Sequence, residues 1–170
     1  MRFHAEHRFK GSKSAIASLL ADPAFYVALQ LPDLRPPEVL ESHRDGTWSV
    51  FRLRYSFVNG RDPIFRFLAG SAPLAWVQEV RIDLSGGSGQ LLYEAEFDPT
   101  RLHGSGEFTL TTAQGSTILR FDGDVIVAVP GIGRLLEREV IRQLLQRLDI
   151  EARALDAQLL DGGGHRLVDD

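Results

Sequence analysis

Residues 116–160, STILRFDGDVIVAVPGIGRLLEREVIRQLLQRLDIEARALDAQLL, decide the fold class. The first part alternates. Leu119, Phe121, Gly123, Val125 and Val127 share one side of an extended chain, and Arg120, Asp122 and Asp124 share the other. That period of two marks a strand with one buried face. Pro130-Gly131 breaks it. From there the apolar positions become Ile132, Leu136, Val140, Leu144, Leu148, Leu155 and Leu159, flanked by Leu135, Ile141 and Leu145. This stripe predicts a helix over 132–160, stopped by Gly162-Gly163-Gly164. At 1.5 Å per residue it is roughly 43 Å long, enough to cross a whole sheet. Leu144 is expected near its middle, among the most buried residues.

Upstream, three turn signals arrange the chain from Pro36 to Val129 as antiparallel hairpins. Asp45-Gly46 pairs Arg44 with Thr47, Leu40 with Phe51 and His43 with Trp48. Gly86-Gly87 pairs Ile82 with Leu91, Val80 with Tyr93, Gln78 with Ala95 and Trp76 with Phe97. Gln114-Gly115 pairs Leu110 with Leu119, Phe108 with Phe121, Gly106 with Gly123 and Gly104 with Val125. Each register joins partners of like character across the pair. A further strand at 2–9 places Phe3, Ala5, His7 and Phe9 inward. Ser12 or Ser14 caps a helix to about Leu20, and Asp22-Pro23 opens a second, ending near Leu31-Pro32. The count is seven strands, near 2–9, 37–44, 47–57, 75–85, 89–98, 103–113 and 116–129. One face of this sheet is apolar; the other carries Glu41, Arg52, Arg54, Glu79, Arg81, Glu94, Glu96, Glu107, Arg120, Asp122 and Asp124. Such a sheet is covered on one side only.

Composition limits the function. The 170 residues are 44% apolar and 25% charged, as in a packed domain, and contain no cysteine. Disulfide scaffolds, thiolate metal sites and cysteine nucleophiles are therefore excluded. A net charge of −4 argues against a nucleic-acid partner. No apolar run spans a bilayer and no signal peptide is visible, so the expected location is cytoplasmic.

The order β-α-α-β6-α, with the Pro130-Gly131-Ile132-Gly133-Arg134 lead-in to the last helix, resembles the START-like superfamily. This superfamily includes birch-pollen-allergen-like proteins, polyketide cyclases and lipid-transfer domains. More narrowly, the chain resembles a bacterial START-like family of unknown function. The resemblance implies an α+β helix-grip fold: a seven-stranded curved antiparallel sheet wrapped around the long C-terminal helix. It covers one domain, residues 1–160, with 161–170 as a flexible tail. It also implies an apolar cavity between sheet and helix that takes a small hydrophobic molecule. The ligand-contacting residues would be His7, Tyr55, Phe57, Phe65, Phe67, Trp76, Gln78, Tyr93, Phe97, Val140 and Leu144. Gly104, Gly106 and Gly123 either bend the sheet, admit the helix closely or open the cavity.

No catalytic set, cofactor or metal site is assigned. Gly131-x-Gly133 lacks the third glycine and the following parallel strand of a dinucleotide site. Gly104-Ser105-Gly106 lacks the spacing of a nucleophile elbow. The histidines His4, His7, His43, His103 and His165 fit no metal spacing. Glu107, Asp122 and Asp124 read as a solvated face balanced by Arg120. Three inward polar residues, Tyr55, Gln78 and Tyr93, need partners, either other side chains or a cavity. The segment 58–74, VNGRDPIFRFLAGSAPL, is apolar in its middle and lies at the same end as the start of the long helix. Pro63 can start one helical turn there. Glycine and proline on both sides leave the segment few backbone hydrogen bonds, so it is either a mobile lid or a fixed plug.

Three functional readings remain open. The first is a binding or carrier module for a lipid, polyketide, isoprenoid or aromatic molecule. The second is a cyclase- or dehydratase-like enzyme, for which His7, Tyr55 and Tyr93 are the inward acid–base candidates. No carboxylate is expected to face inward, which weighs against it. The third is an interaction protein, including a homodimer, that buries the outward Trp48.

Overall fold

The computed structural model describes residues 1–58 and 63–163. Strands β1 (Arg2–Phe9), β2 (Glu38–Asp45), β3 (Trp48–Ser56), β4 (Ala75–Asp83), β5 (Ser88–Ala95), β6 (Leu102–Ala113) and β7 (Ser116–Val127) form a single antiparallel sheet. Their order is β1-β7-β6-β5-β4-β3-β2. Helices α1 (Lys13–Leu20) and α2 (Pro23–Ala28) follow β1, α3 (Pro63–Ala69) precedes β4, and α4 (Gly133–Gly163) ends the described chain. The caps are those read from sequence. Ser12 Oγ accepts from the Ala15 amide at 3.1 Å, and Asp22 accepts from Ala24 at 2.9 Å ahead of Pro23.

The β6–β7 hairpin has the expected register, with Leu110 opposite Leu119 and Phe108 opposite Phe121. Gln114 and Gly115 both take positive φ, 50° and 74°, as a type I′ turn requires. The other two registers differ. At Gly46 the turn residues are Gly46 and Thr47, so Asp45 pairs with Trp48, His43 with Val50 and Ser42 with Phe51. Glycine, at φ 58°, takes the first central position, the type II′ arrangement, instead of the second. A bulge between Val39 and Glu41 then leaves Leu40 outside the pairing, and both apolar side chains of this edge strand are exposed.

The β4–β5 turn is two residues longer than Gly86-Gly87 alone. Asp83 folds back onto the Ser85 amide (3.0 Å) and hydroxyl (2.7 Å), so Asp83 pairs with Ser88. Val80 therefore faces Leu91, Gln78 faces Tyr93, and Trp76 faces Ala95. A slip of two residues preserves the faces, so the inside–outside assignment survives the wrong partners.

The inner face of the sheet packs on α4, whose Leu136, Ile141, Leu148, Ala152 and Leu155 are buried. Leu144 is only half-buried, contrary to expectation. The helix also continues to Gly163, taking in the first two of the three stop glycines and entering the segment read as a tail; residues 164–170 lie outside the described residues. The outer face carries ion pairs such as Arg120 of β7 to Glu6 of the adjacent β1 (2.8 Å) and Arg54 of β3 to Glu96, just past β5 (2.6 and 2.9 Å). At the Gly106–Gly123 pair the Phe3 ring lies where side chains would be. A Cβ on Gly123 would stand 2.6 Å from that ring, so this glycine admits β1's phenylalanine rather than α4.

Candidate functional site

A cavity of about 310 Å³ opens between α4 and the β4–β7 part of the sheet. Phe57, just past β3, Trp76 of β4 and Phe65 of α3 form its aromatic wall. The Phe57 and Phe65 ring centres lie 5.0 Å apart, and Trp76 lies 5.6 and 5.9 Å from them. Tyr93, Leu102, Gly104 and Val125 continue the sheet side, while Val140, Leu144, Arg147 and Ile150 come from α4. Residues 31–34 close a further side. This segment is pinned by a bridge between Leu34 and Phe57 and by the Val58 amide on the Asp33 carbonyl at 2.9 Å. Gly104 keeps room beside Tyr93, since a Cβ there would crowd the Asp124 carbonyl at 3.0 Å and approach the Tyr93 ring at 3.7 Å.

At the inner end stands a buried polar cluster. Arg147 and Glu151 lie one turn apart on α4, 8% and 6% exposed. Arg147 Nε donates to Glu151 Oε1 at 2.9 Å. Its Nη2 donates to Tyr55 Oη at 2.8 Å and to Gln78 Oε1 at 2.5 Å, and the guanidinium lies 4.2 Å from the Tyr55 ring centre. The partner required by Tyr55 and Gln78 is thus this arginine. Burial raises the Tyr55 and Tyr93 hydroxyls, against the pull of Arg147, and both stay neutral at ordinary pH. Burial likewise raises the Glu151 carboxyl, opposed by Arg147 and His7. Of this cluster it is Arg147, a donor with no acceptor capacity of its own, that lies on the cavity wall, which Asp33, Glu94 and Arg142 also border.

Of the residues expected to line the cavity, Phe57, Phe65, Trp76, Tyr93, Val140 and Leu144 do. Tyr55 and Gln78 lie behind the wall and hold Arg147. Phe97 is half-buried against the core but outside the cavity, and Phe67 points outward, 56% exposed. The segment carrying Phe67 is not short of backbone bonds, because α3 runs for seven residues; Gly60 lies outside the described residues. Helical spacing turns Phe65 and Leu68 inward and leaves Phe67 outside. His7 also misses the cavity: its Nε2 meets Asp149 Oδ1 at 2.8 Å, and its Nδ1 is buried with no partner among the described residues.

Arg147 and Glu151 escaped the sequence reading, and the expectation of no inward carboxylate is wrong at Glu151. The sign was a gap: the α4 stripe skips from Leu148 to Leu155, and Glu151 occupies the missing i+3 position. Among the described residues no group of three His, Asp or Glu is placed to hold a metal ion, and no helix is long and apolar enough to cross a membrane.

A seven-stranded antiparallel sheet gripping one long C-terminal helix is the START-like, birch-pollen-allergen-like helix-grip fold. The crystal structure of Ara h 8.0201 is similar at a TM-score of 0.66 and 13% identity, covering 95% of this chain and 98% of that one. An aromatase/cyclase, Zhui from Streptomyces sp. R1128, is similar at 0.62 and 16%, covering 94% of each chain. A START superfamily protein from Mycobacterium smegmatis is similar at 0.61 and 16%, covering 94% and 97%. The chain belongs to the family described as protein of unknown function (DUF2505), whose model matches residues 5–159. No curated protein sequence matches it.

Proposed function

We propose that this protein binds or carries a small hydrophobic molecule in the cavity between α4 and the sheet. The observation that carries the reading is the cavity itself. About 310 Å³ is left open behind three packed aromatic rings, a space that the surrounding core could have filled with side chains. A role in catalysis has less support. His7, the one imidazole expected to act, pairs with Asp149 away from the cavity, and Glu151 is engaged by Arg147. The cyclase among the similar structures therefore bears on the fold, not on this chain's chemistry.

The test is binding of anilinonaphthalene sulfonate and of uncharged apolar dyes to the wild type and to Leu144→Trp, which fills the cavity from α4. Saturable binding by the wild type that is lost in a folded Leu144→Trp is expected. Equal binding by both would place the dye elsewhere and remove the reading.

A further inference from the structure

Asp33, Glu94, His103, Arg142, Gln143 and Gln146 also border the cavity, and between α4 and β5 Arg147 and Tyr93 reach it, neither having spent all its donors. Arg147 uses Nε on Glu151 and Nη2 on Tyr55 and Gln78, while Nη1 has no acceptor among the described residues. The Tyr93 hydroxyl likewise has no hydrogen-bond partner there. The two are neighbours by construction: Tyr93 stands directly across from Gln78 in the β4–β5 ladder, and Gln78 holds Arg147. What these two residues leave free are the N–H donors of Nη1 and a phenolic hydroxyl, which can donate or accept. The acceptors of the cluster, Gln78 Oε1 and Glu151 Oε1, already receive the guanidinium, and Glu151 is not on the cavity wall.

Resting on the binding function proposed above, we infer that the ligand carries a neutral oxygen acceptor, a ketone, aldehyde, quinone or ester carbonyl, seated against Arg147 Nη1 and the Tyr93 hydroxyl. A carbonyl oxygen has two lone pairs and no donor, so it can accept from one N–H of Nη1 and from the Tyr93 O–H together. A carboxylate would set a second acidic group beside Glu151 and carry the cost of burying an anion, which a neutral carbonyl avoids. An alcohol also brings a donor, which the Tyr93 oxygen can accept only by giving up its own O–H bond to the ligand. A plain hydrocarbon leaves the guanidinium donor without a partner in an enclosed site. Arg147 is thus a specificity residue held in place by Tyr55, Gln78 and Glu151, not an isolated buried charge.

The experiment uses four probes on one skeleton, read by naphthalene fluorescence: ethylnaphthalene, methyl naphthyl ketone, the corresponding secondary alcohol, and naphthoate. The ketone should bind about tenfold more tightly than the hydrocarbon, the difference one charge-assisted hydrogen bond makes. Tyr93→Phe, which keeps the ring, should reduce that preference several-fold. Arg147→Met should abolish it, with the hydrocarbon's affinity rising towards the ketone's because no unpaired guanidinium remains. Should Arg147→Met fail to fold, Tyr93→Phe alone decides. Hydrocarbon and ketone binding equally to the wild type, or an undiminished preference in Tyr93→Phe, would overturn the carbonyl assignment and leave the cavity reading standing. Naphthoate binding most tightly would replace the carbonyl with an anion and overturn it too. No binding by any probe would instead count against the cavity as a ligand site.

Discussion

Glu151 carries a carboxyl into the interior beside Arg147, and burial there outweighs the attraction of the guanidinium, so its proton is held more tightly folded than unfolded. The sign of the consequence follows from linkage. A raised carboxyl contributes stability that is complete below the unfolded value, about 4.3, and is lost as pH rises through the folded one. The wild type should therefore lose ground against Glu151→Gln as pH climbs upward from about 4.3. Urea melts of both proteins at several pH values check this. A gap that moves in the wild type's favour with rising pH would mean that ionised Glu151 is the stabilising form.

At the scale of elements, α4 presents two kinds of apolar residue. Leu148 is buried against the sheet, whereas Leu144 is half-buried and borders the cavity. Truncating a packed leucine costs roughly 2–5 kcal/mol, more where the neighbours cannot collapse into the space. Leu148→Ala should fall inside that range. Leu144→Ala should fall at or below its lower end, since part of its surroundings is already empty. Equal losses in thermal melts would mean that the cavity wall is as tightly packed as the core.

The second such element is α3. Its inner face is docked through Phe65 and Leu68, and Arg101 Nη1 donates to the Leu68 carbonyl at 3.1 Å. Because α3 supplies one wall of the cavity, a bound hydrophobic molecule should raise hydrogen-exchange protection across 63–70 relative to the β6–β7 hairpin. Protection already equal to that hairpin's, and unchanged by an apolar ligand, would mark α3 as a fixed plug.

These two helices also show how far the sequence could be read. The stripe from Leu136 to Leu155 and the alternation in 116–127 fixed the helix, the strand and their buried faces, because both patterns repeat over many residues. Exact partners were less secure. The type II′ turn at Gly46 and the Asp83 side chain each shifted a hairpin without changing its faces. The polar cluster was hidden for a different reason. Arg147 and Glu151 look like solvent-facing charges in the sequence, and only the meeting of α4 with Tyr55 and Gln78, far apart along the chain, makes them an interior pair.

For the whole molecule, the sheet and α4 together leave a chamber that neither could enclose alone, closed by α3 and by residues 31–34. The aromatic residues at its wall are packed against one another. Its contents are therefore the central question. The most direct measurement is native mass spectrometry of protein purified gently from its own host, with solvent extraction of whatever is released. The account predicts a discrete small-molecule adduct that is extractable into organic solvent and absent from Leu144→Trp. Bare protein mass from the native host, in both wild type and variant, would contradict it.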